Sequence, residues 1–294
     1  MDIGGLRAFI AVAQSGSFSE AATRLHITQP AVSKRIAGLE EQLAKPLFDR
    51  NGRSIRLTEA GEILLTAAEQ IVRSVDVAGD QIRSLGSDVT GRLSIATSHH
   101  IGIHRLPSVL RQFTTRYPDV ELDLRFTDSE LAADDVLNGR IELAVATLPI
   151  ITPPALEVTP VWNDKLVVVC NRQHALLQAK PNGKKTGAQD LAAFPAVLPS
   201  RSTITRQIVT EFLQQSGKQV QVALETNYLE TIRVMVEVGL GWSVLPETMI
   251  SGDITVVEVE GFDLQRTLGL MRVKAHSLSV AATRFVEAIE EVAE

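Results

Sequence analysis

Residues 17–43 constrain the fold most strongly, because two helix-start signals stand there on either side of a short break. Ser17 and Glu20 have the spacing of a capping box, in which each side chain accepts a free backbone N–H from the other residue. A second helix is predicted to begin at Gln29–Pro30, since proline in the first helical turn removes no hydrogen bond. Residues 26–28 interrupt the pattern with two β-branched side chains in succession. We therefore expect two short helices joined by a tight turn.

The second predicted helix has one apolar face and one polar face. The apolar face recurs at helical spacing and consists of Val32, Ile36, Leu39 and Leu43. The polar residues at its start are Thr28, which suits an N-cap, and Gln29, Pro30, Ser33, Lys34 and Arg35. Glutamine can bond adenine, lysine and arginine can bond guanine, and serine and backbone N–H groups can bond phosphate. These residues are candidate DNA contacts. The alternative is an ordinary helix pair with a solvated polar face.

The charge is divided unevenly along the chain. The whole sequence has a net charge of −6, but residues 1–58 carry eight lysines and arginines against five acids, a charge of +3 that leaves −9 for the remainder. A small basic unit attached to an acidic body is typical of a DNA-facing module joined to a larger domain. The distribution therefore favours the DNA-binding interpretation of residues 17–43.

A hairpin is predicted directly after the second helix, in residues 46–57. Asn51–Gly52 is a strong turn signal between two short β-prone pieces. Arg53 stands at the predicted tip, where it can enter a narrow minor groove, while Arg50 and Arg56 can meet phosphates. The alternative is a solvated hairpin. The helix pair immediately upstream favours a wing beside a helix-turn-helix.

A long helix is predicted from Thr58 to Leu85, about 42 Å in length. Its apolar residues alternate steps of four and three, and they are Leu64, Ala68, Ile71, Val75, Ala78, Ile82 and Leu85. A seam of this length with no other core of its own requires a second copy of the chain. Residues 86–91 begin and end with glycine and are predicted to be a linker.

The first 90 residues resemble the LysR-type transcriptional regulators. The signature is carried by FSEAATRLHITQPAVSKRIAGLEEQL, PLFDRNGR and LTEAG, and the resemblance continues along the whole chain. One departure is Ala44, where the family often has glycine, and it is expected to shift the turn before Pro46. The family implies an α/β protein in which a winged helix-turn-helix and a long linker helix precede a two-lobed effector domain similar to periplasmic binding proteins.

The resemblance also implies where the domains begin and end. We expect a DNA-binding domain at 1–58, a linker helix and hinge at 59–90, and an effector-binding domain at 91–294, with one lobe at 91–160 and 266–294 and the other at 161–265. The residue pattern agrees, because strand-like and helical runs alternate beyond Gly91, as in a parallel α/β fold. The strand-like runs are Leu93–Ala96, Val120–Phe126, Ile141–Ala146, Leu166–Cys170, Val220–Leu224, Trp242–Leu245, Thr255–Val259 and Arg266–Val273. A closing helix is predicted at Ser279–Val292, with Ala282, Phe285, Ile289 and Val292 inward.

The candidate effector-binding residues follow predicted strands or precede predicted helices, where parallel sheets bind ligands. From one lobe they are Thr97, Ser98, His99, His100, Thr127 and Thr147; from the other they are Arg201, Ser202, Thr203 and Thr226. Hydroxyls, a histidine pair and an arginine suit a small anion such as a carboxylate or sulfate. The alternative for each serine and threonine is a helix cap.

No metal or cofactor is expected. His100 and His104 have the spacing of helical metal ligands, but no cysteine or nearby carboxylate completes a set. Cys170, the single cysteine, lies in the apolar run LVVVC, which favours a buried structural thiol over a redox sensor.

Three functions compete: a ligand-responsive DNA-binding regulator, an enzyme, and a small-molecule-binding protein without promoter-specific regulation. The sequence contains no nucleophile–base pairing or glycine-rich phosphate loop, so an enzyme is not expected. No export signal or apolar stretch of about 18 residues is present, so we expect a cytoplasmic protein without membrane contact. The expected partners are promoter DNA, a small effector and a second copy of the chain. The family adds a homotetramer, and RNA polymerase is a further candidate partner.

Overall fold

The computed structural model describes residues 1–49, 55–83, 89–178, 186–214, 217, 220–274 and 276–293. Within these ranges, no helix combines the length and the apolar character that crossing a membrane requires.

The N-terminal unit begins with three helices: α1 (Ile3–Ser15), α2 (Phe18–Arg24) and α3 (Gln29–Leu43). The two helices predicted on either side of residues 26–28 are confirmed. Ser17 caps α2, since its hydroxyl accepts the Glu20 N–H at 3.3 Å. The other half of the capping box was predicted wrongly, because the Ser17 N–H donates to the Ser15 hydroxyl at 3.3 Å. Thr28 stands at the N-cap of α3 but makes no side-chain capping bond.

Helix α3 buries the predicted face against α1. Val32, Ile36 and Leu39 are buried in a cluster that also contains Leu6 and Phe9. The prediction for Leu43 was wrong: it is the last residue of α3 and is 37% exposed, because the chain leaves the core there.

A short hairpin follows, with strands β1 (Phe48–Asp49) and β2 (Arg56–Leu57) paired antiparallel. The Glu40 carboxylate ties β1 to α3, because it accepts the Leu47 N–H at 2.8 Å. The predicted turn at Asn51–Gly52, with Arg50 and Arg53, lies outside the described residues.

Helix α4 (Glu59–Arg83) starts where it was predicted, since the Thr58 hydroxyl accepts the Gly61 N–H at 3.1 Å. The expectation that the apolar seam of α4 has no core within its own chain is wrong. Leu64 and Ala68 are buried in the N-terminal cluster with α1. Beyond them Ile71, Val75 and Ile82 are 39%, 45% and 69% exposed. The predicted last seam residue, Leu85, lies outside the described residues.

The predicted effector domain starts with three parallel strands, β3 (Gly91–Thr97), β4 (Val120–Phe126) and β5 (Leu143–Thr147), with β3 in the middle. Helices α5 (His99–His104), α6 (Leu106–Arg116) and α7 (Ser129–Leu137) connect them. Helix α12 (Val280–Ala293) closes this group, which we call the first lobe. Ala282, Phe285 and Ile289 are buried as predicted, whereas Val292 lies near the end of α12 and is exposed.

Two long antiparallel strands connect the two lobes, one leaving the first lobe and the other returning to it. Strand β6 (Leu156–Asn171) pairs antiparallel with strand β11 (Leu264–Val273) from Leu166–Leu264 to Leu156–Val273. The other strands paired with β6 are β9 (Ser243–Pro246) and β10 (Ile254–Val256), also antiparallel. The prediction of a parallel sheet is therefore correct for β3, β4 and β5. It is wrong for β6 and β11, which pair antiparallel with each other, and β11 also pairs antiparallel with β5, because the chain crosses between lobes and returns beside itself.

The second lobe is built on the far ends of β6 and β11. Its remaining elements are α8 (Ala175–Gln178), α9 (Ala188–Leu191), β7 (Ala196–Leu198), α10 (Ile204–Gln214), β8 (Val222–Glu225), α11 (Leu229–Glu237) and a 3-10 turn at Glu247–Met249. Cys170 is fully buried in this lobe, and burial raises the pKa of its thiol to about 11. A protonated, inaccessible thiol is what the structural interpretation predicts.

Helix α4 also contacts the first lobe. The Arg73 Nε donates to the Gly139 carbonyl at 2.6 Å, and the Gln70 amide donates to the Leu137 carbonyl at 3.3 Å. Gly139 has φ +68°, and a Cβ there would lie 2.5 Å from the Gln70 Cγ. This close approach requires glycine. One helix thus belongs to the N-terminal core and touches the effector domain.

The departure from the family pattern at Ala44 has a measurable cost. Ala44 ends α3 in the left-handed region at φ +51° and ψ 32°, a conformation that costs a non-glycine residue about 1–2 kcal/mol. Glycine relieves this strain but loses more chain entropy on folding, so we expect Ala44→Gly to raise the free energy of unfolding, measured by urea denaturation, by only about 0.5–1 kcal/mol.

The matched control is Ala37→Gly, an exposed position inside the same helix. That change should lower stability by about 1 kcal/mol. Equal destabilisation by both substitutions would contradict the left-handed assignment of Ala44.

Candidate functional site

The predicted DNA contacts of α3 lie together on its exposed side. Thr28, Gln29 and Pro30 are exposed at the start of the helix. The Gln29 amide donates to the Ser33 hydroxyl at 2.9 Å, one helical turn further on. The buried face of α3 points into the N-terminal core, so this polar edge is presented outward.

The two basic residues of α3 follow that edge. Lys34 and Arg35 are both exposed, and Arg35 reaches back to the Gly4 carbonyl at 3.5 Å. Arg56 is exposed on β2 of the hairpin. The N-terminus of a helix carries partial positive charge, and together with the exposed side chains of Gln29 and Lys34 it suits contact with a phosphate backbone.

A second candidate site lies between the two lobes. Its cavity is lined by Ser98, His99, His100, Asp128, Ser129, Glu130, Thr147, Pro199, Thr203, Ile204, Thr205, Asn227, Tyr228, Leu229 and Arg266. Five of the predicted effector residues are among them: Ser98, His99, His100, Thr147 and Thr203. The cavity is about 50 Å³ in this arrangement. Since one water needs roughly 10–15 Å³, it has room for a few waters or a small ion.

Five other predicted effector residues do not line this cavity. The Thr97 side chain is fully buried, and its hydroxyl donates to the Val145 carbonyl at 2.8 Å, which is a structural bond. Thr127, Arg201, Ser202 and Thr226 also lie outside the lining. The helix-cap alternative describes Thr203 well, because its hydroxyl accepts the Arg206 N–H at 3.2 Å. Choosing residues at strand ends therefore located the cleft correctly, but only half of the predicted residues line it.

Carboxylates of the first lobe are bound by N–H donors of the second. The Glu130 carboxylate accepts the Ile204 N–H, at the start of α10, at 2.7 Å. The Asp128 carboxylate accepts the Asn227 amide at 2.7 Å. A helix N-terminus is a natural anion-binding position, and here the protein's own Glu130 occupies it.

The candidate list did not include the most deeply buried charges of the cleft. Asp164 on β6 and Arg266 on β11 are direct cross-strand partners. The Arg266 Nε donates to Asp164 Oδ2 at 2.8 Å, and its Nη1 donates to the Thr205 hydroxyl at 2.9 Å. The sequence did contain a signal that these two charges are buried. Residues two apart in a strand share a face, and Asp164 stands two residues before the buried Leu166, as Arg266 stands two before the buried Leu268.

His100 adds a neutral group beside this ion pair. Its side chain is 4% exposed, and neither ring nitrogen has a hydrogen-bond partner in the part of the chain that the structure describes. Burial, which is the largest cause, and the nearby charges of Arg266 and His104 together lower the pKa of His100 to about 3. His99 contacts the rings of Phe126 and Tyr228, with centroids 5.1 and 4.8 Å away. At neutral pH the cleft therefore contains one buried cation–carboxylate pair and an uncharged imidazole.

Comparison with known families agrees with this architecture. Residues 3–62 match the bacterial regulatory helix-turn-helix model of the lysR family, and residues 86–294 match the LysR substrate binding domain. The chain belongs to the LysR family of transcriptional regulators. It is therefore a DNA-binding transcription regulator with a helix-turn-helix and an effector-binding domain.

Individual relatives support the assignment. The chain is 31% identical to a probable RuBisCO transcriptional regulator of a Synechocystis strain, over 97% of this chain and 84% of the relative. A full-length OxyR variant from Pseudomonas aeruginosa has a TM-score of 0.75 at 23% identity, with 100% of this chain and 94% of that one covered. CbnR bound to its target DNA has a TM-score of 0.65 at 24% identity, covering 99% and 100%. At these identities the two structures support the fold.

Proposed function

We propose that the first turn of α3 reads an operator in the major groove, with Gln29 making the base contact and Ser33, Lys34 and Arg35 assisting it. The observation that carries this proposal is the exposed polar edge where Gln29 and Ser33 meet at 2.9 Å. Arg50 and Arg53 of the hairpin are proposed phosphate and minor-groove contacts, as the sequence predicts.

Two copies of the chain are proposed to pair through α4. Its exposed apolar residues form a stripe at steps of four and three: Ile63, Ala67, Ile71, Val75, Ala78 and Ile82. An exposed apolar stripe on a long helix is the usual sign of a helical partner. Pairing would place two α3 helices on one side of the DNA. The homotetramer, the contact with RNA polymerase and the cytoplasmic location remain proposals taken from the family and from action on a promoter.

The effector is proposed to be a small anion that enters between the lobes. Three features support an anion: the α10 N-terminus, the buried guanidinium of Arg266 and the neutral imidazole of His100. The Glu130 carboxylate now accepts the Ile204 N–H that an anion would use. A carboxylate or sulfate would therefore compete with Glu130 and change how the first lobe is held.

The contacts of α4 provide a route from the cleft to the DNA. Glu130 lies on α7, and the same helix ends at Leu137, whose carbonyl accepts a hydrogen bond from Gln70 of α4. A shift of α7 on effector binding would thus reach α4. Because α4 is packed into the N-terminal core, such a shift would alter the placement of α3.

The DNA-binding assignment is tested with Gln29→Ala. Losing a bidentate base contact should weaken operator binding by about 1–3 kcal/mol while leaving random DNA nearly unaffected. The measurement is fluorescence anisotropy on a footprinted operator and on a random duplex, over a range of salt concentrations. Arg53→Ala should instead weaken binding to both duplexes and reduce the salt slope by about 1.

Gln42→Ala is the matched control, since Gln42 is exposed at the far end of α3. It should bind the operator like the parent chain. Equal losses from Gln29→Ala on operator and random DNA would refute the assigned role. The absence of any low-salt footprint upstream of neighbouring genes would favour a small-molecule-binding protein without promoter-specific regulation.

The anion proposal is tested with Glu130→Gln. Glutamine keeps an oxygen for the Ile204 N–H but removes the negative charge, so a bound anion no longer meets repulsion. We expect affinity for the matching anion to rise on the order of tenfold, equal to about 1.4 kcal/mol. The measurement is a thermal-shift titration with sulfate, phosphate and small mono- and dicarboxylates.

Glu121→Gln is the control, because Glu121 is an exposed carboxylate on β4 outside the cleft lining. It should titrate like the parent chain. Anion responses that are the same in all three proteins would show that no anion competes with Glu130.

A further inference from the structure

Three side chains that commonly ligate metals meet at one edge of the cleft, although they come from both lobes. His100 and His104 lie on α5, and Glu230 lies on α11. The His104 Nε2 is 3.2 Å from the Glu230 Oε1, and the His100 Nδ1 is 3.9 Å from the same oxygen. The three ligand atoms all lie within 4.8 Å of one another.

His100 is the residue that suggests a ligand. It is 4% exposed, yet among the described residues neither of its ring nitrogens has a hydrogen-bond partner. Buried polar groups without partners are uncommon and need an explanation. Its Nδ1 faces Glu230, and its Nε2 lies 3.9 Å from Asp164 Oδ2. A histidine that ligates a metal typically directs its other nitrogen at a carboxylate, which is the position of Asp164.

We propose that His100, His104 and Glu230 bind one divalent transition metal ion that links the two lobes. Two imidazoles and one carboxylate suit Zn²⁺, which bonds them at about 2.0–2.2 Å. Ligand atoms around a tetrahedral zinc are then roughly 3.3 Å apart. The two separations from Glu230 Oε1, 3.2 and 3.9 Å, need shifts of less than 1 Å to meet this geometry. The two imidazole nitrogens lie within 4.8 Å of each other, so closing that pair is the largest adjustment, at most about 1.5 Å.

Three protein ligands leave one tetrahedral position for water or for another ligand. The sequence expectation of no metal rested on the lack of a third ligand near His100 and His104. The fold supplies Glu230, 126 positions beyond His104. Because α5 and α11 belong to different lobes, all three ligands can reach one metal ion only when the lobes are close together. A bound metal would therefore favour that arrangement of the lobes.

The charges around the site define the competing interpretation. Arg266 and Arg105 both face the cluster, but Asp164 lies 2.8 Å from Arg266 and 3.9 Å from Arg105. Without a metal, His104 and Glu230 would form only a surface ion pair, worth little to stability. Such a pair would bind no Zn²⁺ with defined stoichiometry, and this difference separates the two interpretations.

The experiment uses the full-length chain without a histidine tag, treated with chelator and dialysed. Zn²⁺ binding is measured by equilibrium dialysis and by the shift in melting temperature, and Co²⁺ is added separately to detect the visible absorption of a tetrahedral site. The variants are His104→Gln and Glu230→Gln. Both residues are more than a third exposed, so their replacement should leave the fold intact. His276→Gln is the control, since His276 is an exposed histidine outside both the cluster and the cleft lining.

We expect one ion per chain, a rise in melting temperature and a tetrahedral Co²⁺ spectrum for the parent chain and for His276→Gln. Affinity should fall at least tenfold in both His104→Gln and Glu230→Gln. No binding by the parent chain would overturn the proposal, as would unchanged binding in either ligand variant or loss of binding in the control. The experiment needs neither DNA nor an anion, so its failure would leave the proposed regulator function standing.

Discussion

The buried ion pair between Asp164 and Arg266 is the constraint on which the effector domain depends. Burying charges is costly unless they are paired, and removing one partner of such a pair typically costs about 3–5 kcal/mol. Here the two residues face each other on β6 and β11, the strands that run between the lobes. The pair therefore fixes the register of the strands at the point where the lobes meet.

Other contacts of the cleft are arranged around that pair. Arg266 bonds Thr205 of α10, and Asp164 faces His100 of α5, so both lobes touch it directly. Glu130 and Asp128 add hydrogen bonds that reach from the first lobe to the second. In the anion-binding proposal, a ligand entering this cavity would replace one of these existing pairings, as a carboxylate or sulfate would replace Glu130 at the Ile204 N–H. Such an exchange of partners is suited to a switch between two relative arrangements of the lobes, one with the ligand and one without it.

The sequence predicted what depends on local signals and missed what depends on packing partners. Helices α2 and α3 were predicted correctly because caps and periodicity are local. Leu64 and Ala68 were assigned to a seam between copies, but they pack on α1 in the same chain, and periodicity cannot distinguish these two partners. Asp164, Arg266 and Glu230 were missed as site residues because their neighbours come from strands and helices about a hundred positions away.

In the proposed dimer, α4 holds two α3 helices at a fixed separation on the operator. The most direct test measures affinity for operators in which the distance between the two half-sites is changed. Inserting about 5 base pairs, half a helical turn, should turn one half-site to the opposite face and sharply weaken binding, and inserting about 10 should restore much of it. Affinity that is unaffected by the 5-base-pair insertion would contradict the claim.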